Sequence, residues 1–282
     1  MRYLNREKFA TAKAYPLFIS FVLILFTSVF PLGGSEPSSQ DQKGVIISDY
    51  QWSLIVDPLP ESIAYSILSN KTKFLSLIKE LYNTKEELVL LVDKRNPIKN
   101  APYYEPANLV LLSSYKNITT SHPNHKLTKE SAQALDQMCT AAKNDGVTLV
   151  VASSYRSYQY QEGILKNYIK EMGEYEAKNK CAPPGSSQHQ LGTTIDFAPV
   201  DVKFENTIDF TWLSKHAHKY GYTLSFPRNQ VKVTGYFYEP WHYRYVGLTA
   251  ANLIYNYFGN NQHLFLLWWK YFKTVFEQSP WL

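Results

Sequence analysis

From Leu127 to Asn144 the apolar positions Ala132, Leu135, Cys139 and Ala142 fall on one face of a 3.6-residue period. Thr128 stands where an N-cap belongs and Gly146 follows the last turn, so this stretch predicts a helix. Val147 to Ala152 is a short apolar run of the kind that makes a buried strand. Ser157 can cap a second helix reaching about Lys178, with Gln161, Ile164, Leu165, Tyr168, Met172 and Tyr175 at helical spacing. The run Cys181-Ala182-Pro183-Pro184-Gly185 then forces a loop. Thr193 to Ala198 and Trp241 to Val246 read as short strands, and Phe210 to Tyr220 as a helix stopped by Gly221.

Upstream the pattern is weaker. Ile63, Ile67, Phe74, Leu75 and Leu81 only partly hold a helical period across Glu61 to Tyr82, and residues 36–60, ending in Pro58 and Pro60, read as a linker. The texture changes at Leu88-Val89-Leu90-Leu91-Val92, followed by Asn96-Pro97 and a loop with Tyr103, Tyr104 and Pro106; the main domain starts here. Strands and helices alternate irregularly, and the chain has no internal repeat and no glycine-rich phosphate-binding loop. The expectation is an α+β fold, one compact domain over 88–260 with a small antiparallel sheet flanked by helices. A linker and small helical element fill 36–87. The aromatic-rich stretch Leu264 to Trp281, within 261–282, is too short between charges to span a bilayer and reads as a packing helix or a membrane-surface contact.

At 282 residues and 45% hydrophobic, the chain has material for one substantial core or two small ones, which excludes disorder as a global description. Of its net charge of +5, three charges lie before residue 36, from Arg2, Arg6, Lys8 and Lys13 against Glu7. The small remainder does not support nucleic-acid binding. From Ala14 to Ser35 no residue is charged, and Leu17 to Phe30 is nearly all apolar. Residues 1–35 therefore read as a secretory signal or, since 22 residues suffice to cross a bilayer, as an uncleaved membrane anchor helix. The basic flank predicts that residues from 36 onward are extracytoplasmic, in a periplasm or on the outer face of the membrane. There Cys139 and Cys181 could pair or remain two buried thiols. Two cysteines this far apart make no zinc knuckle, so any metal must be held by histidine and carboxylate.

Two of the seven histidines sit in glycine- or proline-marked segments with carboxylates close by: His189 in Ser187-Gln188-His189-Gln190-Leu191-Gly192-Thr193-Thr194-Ile195-Asp196, and His242 in Glu239-Pro240-Trp241-His242-Tyr243-Arg244-Tyr245. A catalytic zinc wants three nitrogen or oxygen ligands and an open position for water, and two histidines, an aspartate and a spare glutamate fit that inventory. One carboxylate must ligate and the other must stay free to move a proton. Asp196 lies in an apolar strand, where a buried charge needs compensation that a metal would supply. Glu239 precedes Pro240, which keeps it out of helical geometry and lets it be aimed independently of His242. His122, His125, His216, His218 and His263 read as ordinary hydrogen-bonded side chains.

Together these segments resemble the SxHxxGxxxD and ExxH motifs of VanY-like zinc D-alanyl-D-alanine carboxypeptidases, the LAS-type peptidases. Ser153-Ser154-Tyr155-Arg156-Ser157-Tyr158, with Gln161 five residues after the arginine, is similar too, as are Trp212-Leu213 to Gly221-Tyr222 and Thr234-Gly235-Tyr236. The resemblance spans roughly Val92 to Gly247. Thr194 and Ser154 depart from it where the family usually has alanine and glycine, both small exchanges. It implies that His189, Asp196 and His242 bind one zinc ion and that Glu239 is the general base and acid. It further implies that Arg156, Gln161 and Ser187 contact the peptide and that Trp241 lines the pocket. A planar, always-charged arginine suits a terminal carboxylate. The implied activity is removal of the terminal D-alanine from peptidoglycan stem peptides. Alternatives are an L,D-carboxypeptidase or endopeptidase with the same site, an iron centre of the two-histidine-one-carboxylate kind, and a wall-binding module without catalysis.

Overall fold

The structure, a computed structural model, describes residues 47–277, and its internal contacts divide these at Tyr65 into two units. In the first, Ser48 and Gln51 build a reciprocal cap: Gln51 N donates to Ser48 Oγ at 3.2 Å and Ser48 N to Gln51 Oε1 at 2.9 Å. They start helix α1 (Asp49–Val56), so part of the expected linker is helical. Its apolar residues crowd into Trp52 and Leu54 to Val56 instead of recurring at helical intervals, which hides it from a periodicity reading. Helix α2 (Glu61–Leu68) follows.

In the second unit, Asn70 accepts from Lys73 N and caps α3 (Lys71–Leu81), which breaks the single helix expected over Glu61 to Tyr82. An asparagine side chain that satisfies a free N–H favours a new helix start over continuation. Strand β1 (Leu109–Leu111), the two-residue β2 (Thr119–Thr120) and β3 (Lys126–Thr128) come next. Helix α4 (Lys129–Asn144) buries Ala132, Leu135, Cys139 and Ala142 on the predicted face, with Met138 added. After β4 (Val150–Ser153), Ser157 accepts from Tyr160 N at 3.1 Å and caps α5 (Tyr158–Met172). The helix expected to reach Lys178 is interrupted at Gly173, whose φ of 85° ends α5, and α6 (Glu174–Lys180) restarts beyond it.

Strand β5 (Thr194–Phe197) leads to α7 (Ile208–His216), a 3₁₀ turn to Tyr220 and a stop at Gly221. Then come β6 (Tyr222–Leu224), the single turn α8 (Val231–Thr234), β7 (His242–Tyr245), α9 (Leu248–Tyr257) and α10 (Gln262–Glu277). The main sheet runs β2-β4-β5-β7-β6, antiparallel except for the edge pair β2 and β4; β1 and β3 form a second, antiparallel ribbon. The fold is therefore mixed helix and small sheet, with one parallel pair where only antiparallel pairing was expected.

Strand alternation sorts the main sheet into two faces. Ile195, Phe197 and Tyr243 point into a core shared with Leu135, Met138, Phe204 and Leu213. Asp196 and His242, cross-strand partners in β5 and β7, point to the other face. Leu264, Phe265, Leu266, Trp268, Trp269 and Phe272 of α10 are buried, and Trp268 meets Phe74 and Phe258 at ring-centroid distances of 5.9 and 5.2 Å. The described part of the aromatic C-terminal stretch, as far as Phe272, is thus packed within its own unit. Cys139 and Cys181 are both free and buried, so the pairing left open by the sequence does not occur. Among the described residues no helix is long and apolar enough to cross a membrane; the uncharged run from Ala14 to Ser35 lies outside them.

Candidate metal centre

Three backbone devices bring the site together. Residues Gln188–Leu191 form a 3₁₀ turn whose entry is capped by Ser187 Oγ, which accepts from His189 N at 3.3 Å. Gly192 closes it with φ 67°, and a Cβ there would stand 2.9 Å from Pro106 Cγ and 3.0 Å from Leu109 Cδ2. Asp196 is carried by β5 and His242 by β7, directly opposite in the antiparallel register. The Glu239-Pro240-Trp241 turn closes with His242 N donating to Glu239 O at 3.2 Å, which folds the Glu239 side chain back onto its neighbour.

His189, Asp196 and His242 offer one ligand atom each within 4.8 Å of one another, the only such group among the described residues. His189 Nε2 lies 3.2 Å from Asp196 Oδ2 and His242 Nδ1 3.1 Å from Asp196 Oδ1, with the imidazoles crossed at 85°. Glu239 Oε2 is 3.2 Å from the same His242 Nδ1. His189 Nδ1 faces the Ser154 carbonyl at 2.7 Å, which assigns the proton to Nδ1 and leaves the Nε2 lone pair inward. His242 presents Nε2 to Gln188 Oε1 at 3.2 Å, which leaves Nδ1 inward.

Burial pushes the His189 imidazole down to about 4, so its inward nitrogen is unprotonated. Burial also acts to lower His242, but hydrogen bonds to Asp196 and Glu239 outweigh it and raise that ring to about 9, so a cation bound at Nδ1 takes the place of that proton and leaves the ring neutral. Burial would raise Asp196, yet the two histidines hold it well below the ordinary carboxylate value. Asp196 Oδ1 is buried, and apart from His242 Nδ1 at 3.1 Å it has no partner. A buried charged oxygen whose only neighbour is an imidazole, beside two inward imidazole nitrogens, is the donor set of a divalent cation with nitrogen and oxygen preferences. The residues therefore fit zinc.

All the residues named from the sequence converge on one cleft of about 330 Å³. Arg156 reaches Asp196 Oδ2 with Nη2 at 2.8 Å, and its Nε and Nη2 donate to Ser153 Oγ at 3.1 and 2.8 Å. Gln161 and Ser187 line the cleft, but both are buried and already engaged. Gln161 donates to the Ala182 carbonyl at 2.9 Å and stands 3.5 Å from Arg156 Nη1, and Ser187 caps the His189 turn. Gln161 thus stands beside Arg156, and Ser187 beside His189. Trp241 forms part of the wall. The sequence reading did not single out Ser153, Gln188 and Phe226. Ser153 sits opposite Asp196 at an irregular step of β4, and Phe226 packs on the His242 ring at 4.7 Å. Ser153 and Gln188 lie inside the quoted segments, and Phe226 lies in none of them. His125 bonds Ser154 Oγ at 3.1 Å, and buried His263 lies 3.7 Å from Asp93; neither joins the site.

The model of the VanY D-alanyl-D-alanine carboxypeptidase family matches residues 124–248. A D-alanyl-D-alanine carboxypeptidase of Enterococcus faecalis is 31% identical over 64% of this chain and 67% of its own length. Among solved structures, the LdcB LD-carboxypeptidase is 34% identical with a TM-score of 0.58, over 64% of this chain and 86% of its own. A zinc-bound vancomycin-resistance D,D-pentapeptidase VanY is 29% identical with a TM-score of 0.53, over 64% and 99%. The site and these likenesses define a metallopeptidase fold. The chain belongs to the VanY D-alanyl-D-alanine carboxypeptidase family, and it spans about two thirds of the length of the curated relatives it matches.

Proposed function

We propose that this protein is a zinc carboxypeptidase that removes the terminal D-alanine from peptidoglycan stem peptides outside the cytoplasmic membrane. One observation carries the reading: two inward imidazole nitrogens and a carboxylate converge within 4.8 Å, with a second carboxylate 3.2 Å from one of them, in a cleft that also holds a guanidinium. An aspartate-imidazole-glutamate cluster of this kind has both ligand and base, which a purely binding module would not need. His189, Asp196 and His242 would hold the ion, which when bound polarises a carbonyl and lowers the pKa of its water to about 7. Glu239 takes the proton of the attacking water and delivers it to the leaving amine. Arg156 presents Nη1, its least engaged nitrogen, to the terminal carboxylate of the peptide. Trp241 and Phe226 form the apolar wall that limits water around the reacting bond.

We assign catalysis to residues 88–260 and export to the basic, then uncharged, segment before residue 36. A second reading is removal of the last residue from a tetrapeptide, favoured by the higher identity and TM-score of the LD-carboxypeptidase than of the D,D-pentapeptidase. Incubation with purified muropeptides, with and without chelator, followed by mass measurement tests both. Chelator-sensitive loss of one alanine from a pentapeptide is the expected result. Loss from a tetrapeptide alone selects the second reading, and unchanged peptides overturn both.

A further inference from the structure

We propose that Gln262, at the start of the C-terminal helix α10, and Gln188 form a directional buried relay that fixes which nitrogen of His242 is free to bind the metal. The inference rests on the metal-centre reading above and adds two positioning residues to it. Gln262 lies beyond the family-matched segment 124–248, in the stretch that the sequence marked off as a tail.

The chain of assignments begins at a group whose polarity is not adjustable. The backbone carbonyl of Thr223 can only accept, and it faces one end of the Gln262 amide at 3.3 Å, with Thr223 Oγ1 at 2.8 Å from the same atom. That end must be the NH₂ group. The other end of Gln262 is then its carbonyl oxygen, which accepts from Ser225 Oγ at 3.2 Å and from the Gln188 amide at 3.5 Å. Gln188 therefore turns its NH₂ toward Gln262 and its carbonyl oxygen toward His242 Nε2, 3.2 Å away. An oxygen that only accepts requires a proton on Nε2, and the lone pair of the neutral ring is left on Nδ1, the atom that faces Asp196 and Glu239.

Every member of the relay is buried: Gln262 at 0% exposure, Ser225 at 1%, Thr223 at 2% and Gln188 at 4%. At this degree of burial a reversed amide at either glutamine would leave a donor facing a donor. The 3₁₀ turn adds a second restraint, because Thr194 Oγ1 donates to the Gln188 carbonyl at 3.1 Å and holds that backbone in place. His189 needs no such relay, since a backbone carbonyl, that of Ser154, sets its tautomer directly. For His242 the deciding carbonyl is two side chains away, and the second of these arrives only with α10.

The test measures metal binding rather than turnover. Full-length protein is stripped of metal, and zinc affinity is read by competition with a chromophoric chelator for wild type, Gln188→Met, Gln262→Met, the double variant and Gln188→Glu. Loss of a partner behind a ligating histidine costs roughly 10- to 100-fold in metal affinity. We expect each methionine variant to fall in that range and the double variant to be no weaker than the weaker single one, because the residues act in series. Gln188→Glu keeps an acceptor toward Nε2 but loses the donor toward Gln262, so it should bind metal more tightly than Gln188→Met and more weakly than wild type. Cobalt-loaded samples should show altered visible absorption for the methionine variants and a spectrum closer to wild type for Gln188→Glu.

Wild-type affinity and spectrum in Gln188→Met overturn the relay, and so do effects of the two singles that multiply in the double. If Gln262→Met does not fold, the Gln188 pair decides alone: weakened binding that glutamate restores only in part supports the relay, and unchanged binding in methionine or full restoration by glutamate overturns it. A wild-type chain that takes up no metal overturns the metal centre itself, and the relay with it.

Discussion

Glu239 stands beside the ligand set without belonging to it, and its exchange separates binding from chemistry. Glu239→Gln should retain zinc while kcat falls by about 10²- to 10⁴-fold, the usual range for a positioned acid-base group. His189→Ala should lose both metal and turnover. Metal analysis alongside peptide kinetics checks the pair, and an active Glu239→Gln enzyme would remove Glu239 from its assigned role. Arg156→Lys keeps the charge but not the planar fork. We expect KM for free-carboxylate peptides to rise about tenfold or more, since a hydrogen bond to a charged group is worth about 1.5–3 kcal/mol. Peptides capped as C-terminal amides should not distinguish the two enzymes; a lower kcat at unchanged KM would place Arg156 at the developing oxyanion instead. Burial, with Asp136 nearby, pushes the Cys139 thiol up to about 12. That residue should stay unmodified by alkylating reagents at pH 8 in the native protein, and both thiols should react after unfolding. The three candidate ligands and the carboxylate beside them were legible as a group because each stands in a short motif. The bonds that Gln161 and Ser187 make to Ala182 and to the His189 turn were not, because burial and hydrogen-bond occupancy are not local properties of sequence.

Helices and strands of the second unit largely follow their local patterns. Where they depart from them, a single residue decides: Gly173 splits one expected helix and Asn70 another. Gly192 has the largest consequence of these backbone switches, because it closes the turn that carries His189. Gly192→Ala would force a left-handed residue and a Cβ against Pro106 and Leu109. We expect about 2 kcal/mol or more of destabilisation, read from denaturant unfolding midpoints. Metal affinity should fall with it, since the turn and its ligand move together. An alanine variant as stable as wild type would show that the turn has room which the structure denies it. Helix α1 shows the opposite limit. Its start signal, the Ser48–Gln51 box, is local and strong, but its apolar residues do not alternate, so pattern alone leaves the segment as linker.

For the whole molecule, the metal centre ties a turn, two strands and the Glu239 turn to one point. A ligand that binds only the folded state stabilises by about 2.7 kcal/mol when present at a hundred times its Kd. Zinc-loaded protein should therefore melt several degrees above the chelator-treated form, and His242→Ala should abolish that difference; equal melting temperatures would mean that the three ligands do not share an ion. Local chemistry in the sequence determined the class of this protein. Helical and strand periods gave the α+β texture, and two motifs supplied a ligand inventory with a spare carboxylate, since such signals lie within a few residues of one another. Only the tertiary structure decided that β5 and β7 set Asp196 opposite His242, that the thiols stay apart, and that an aromatic tail returns to the site through Gln262. Those outcomes depend on contacts between positions far apart in the chain, where register, burial and hydrogen-bond direction are settled together and no short window of sequence contains both partners.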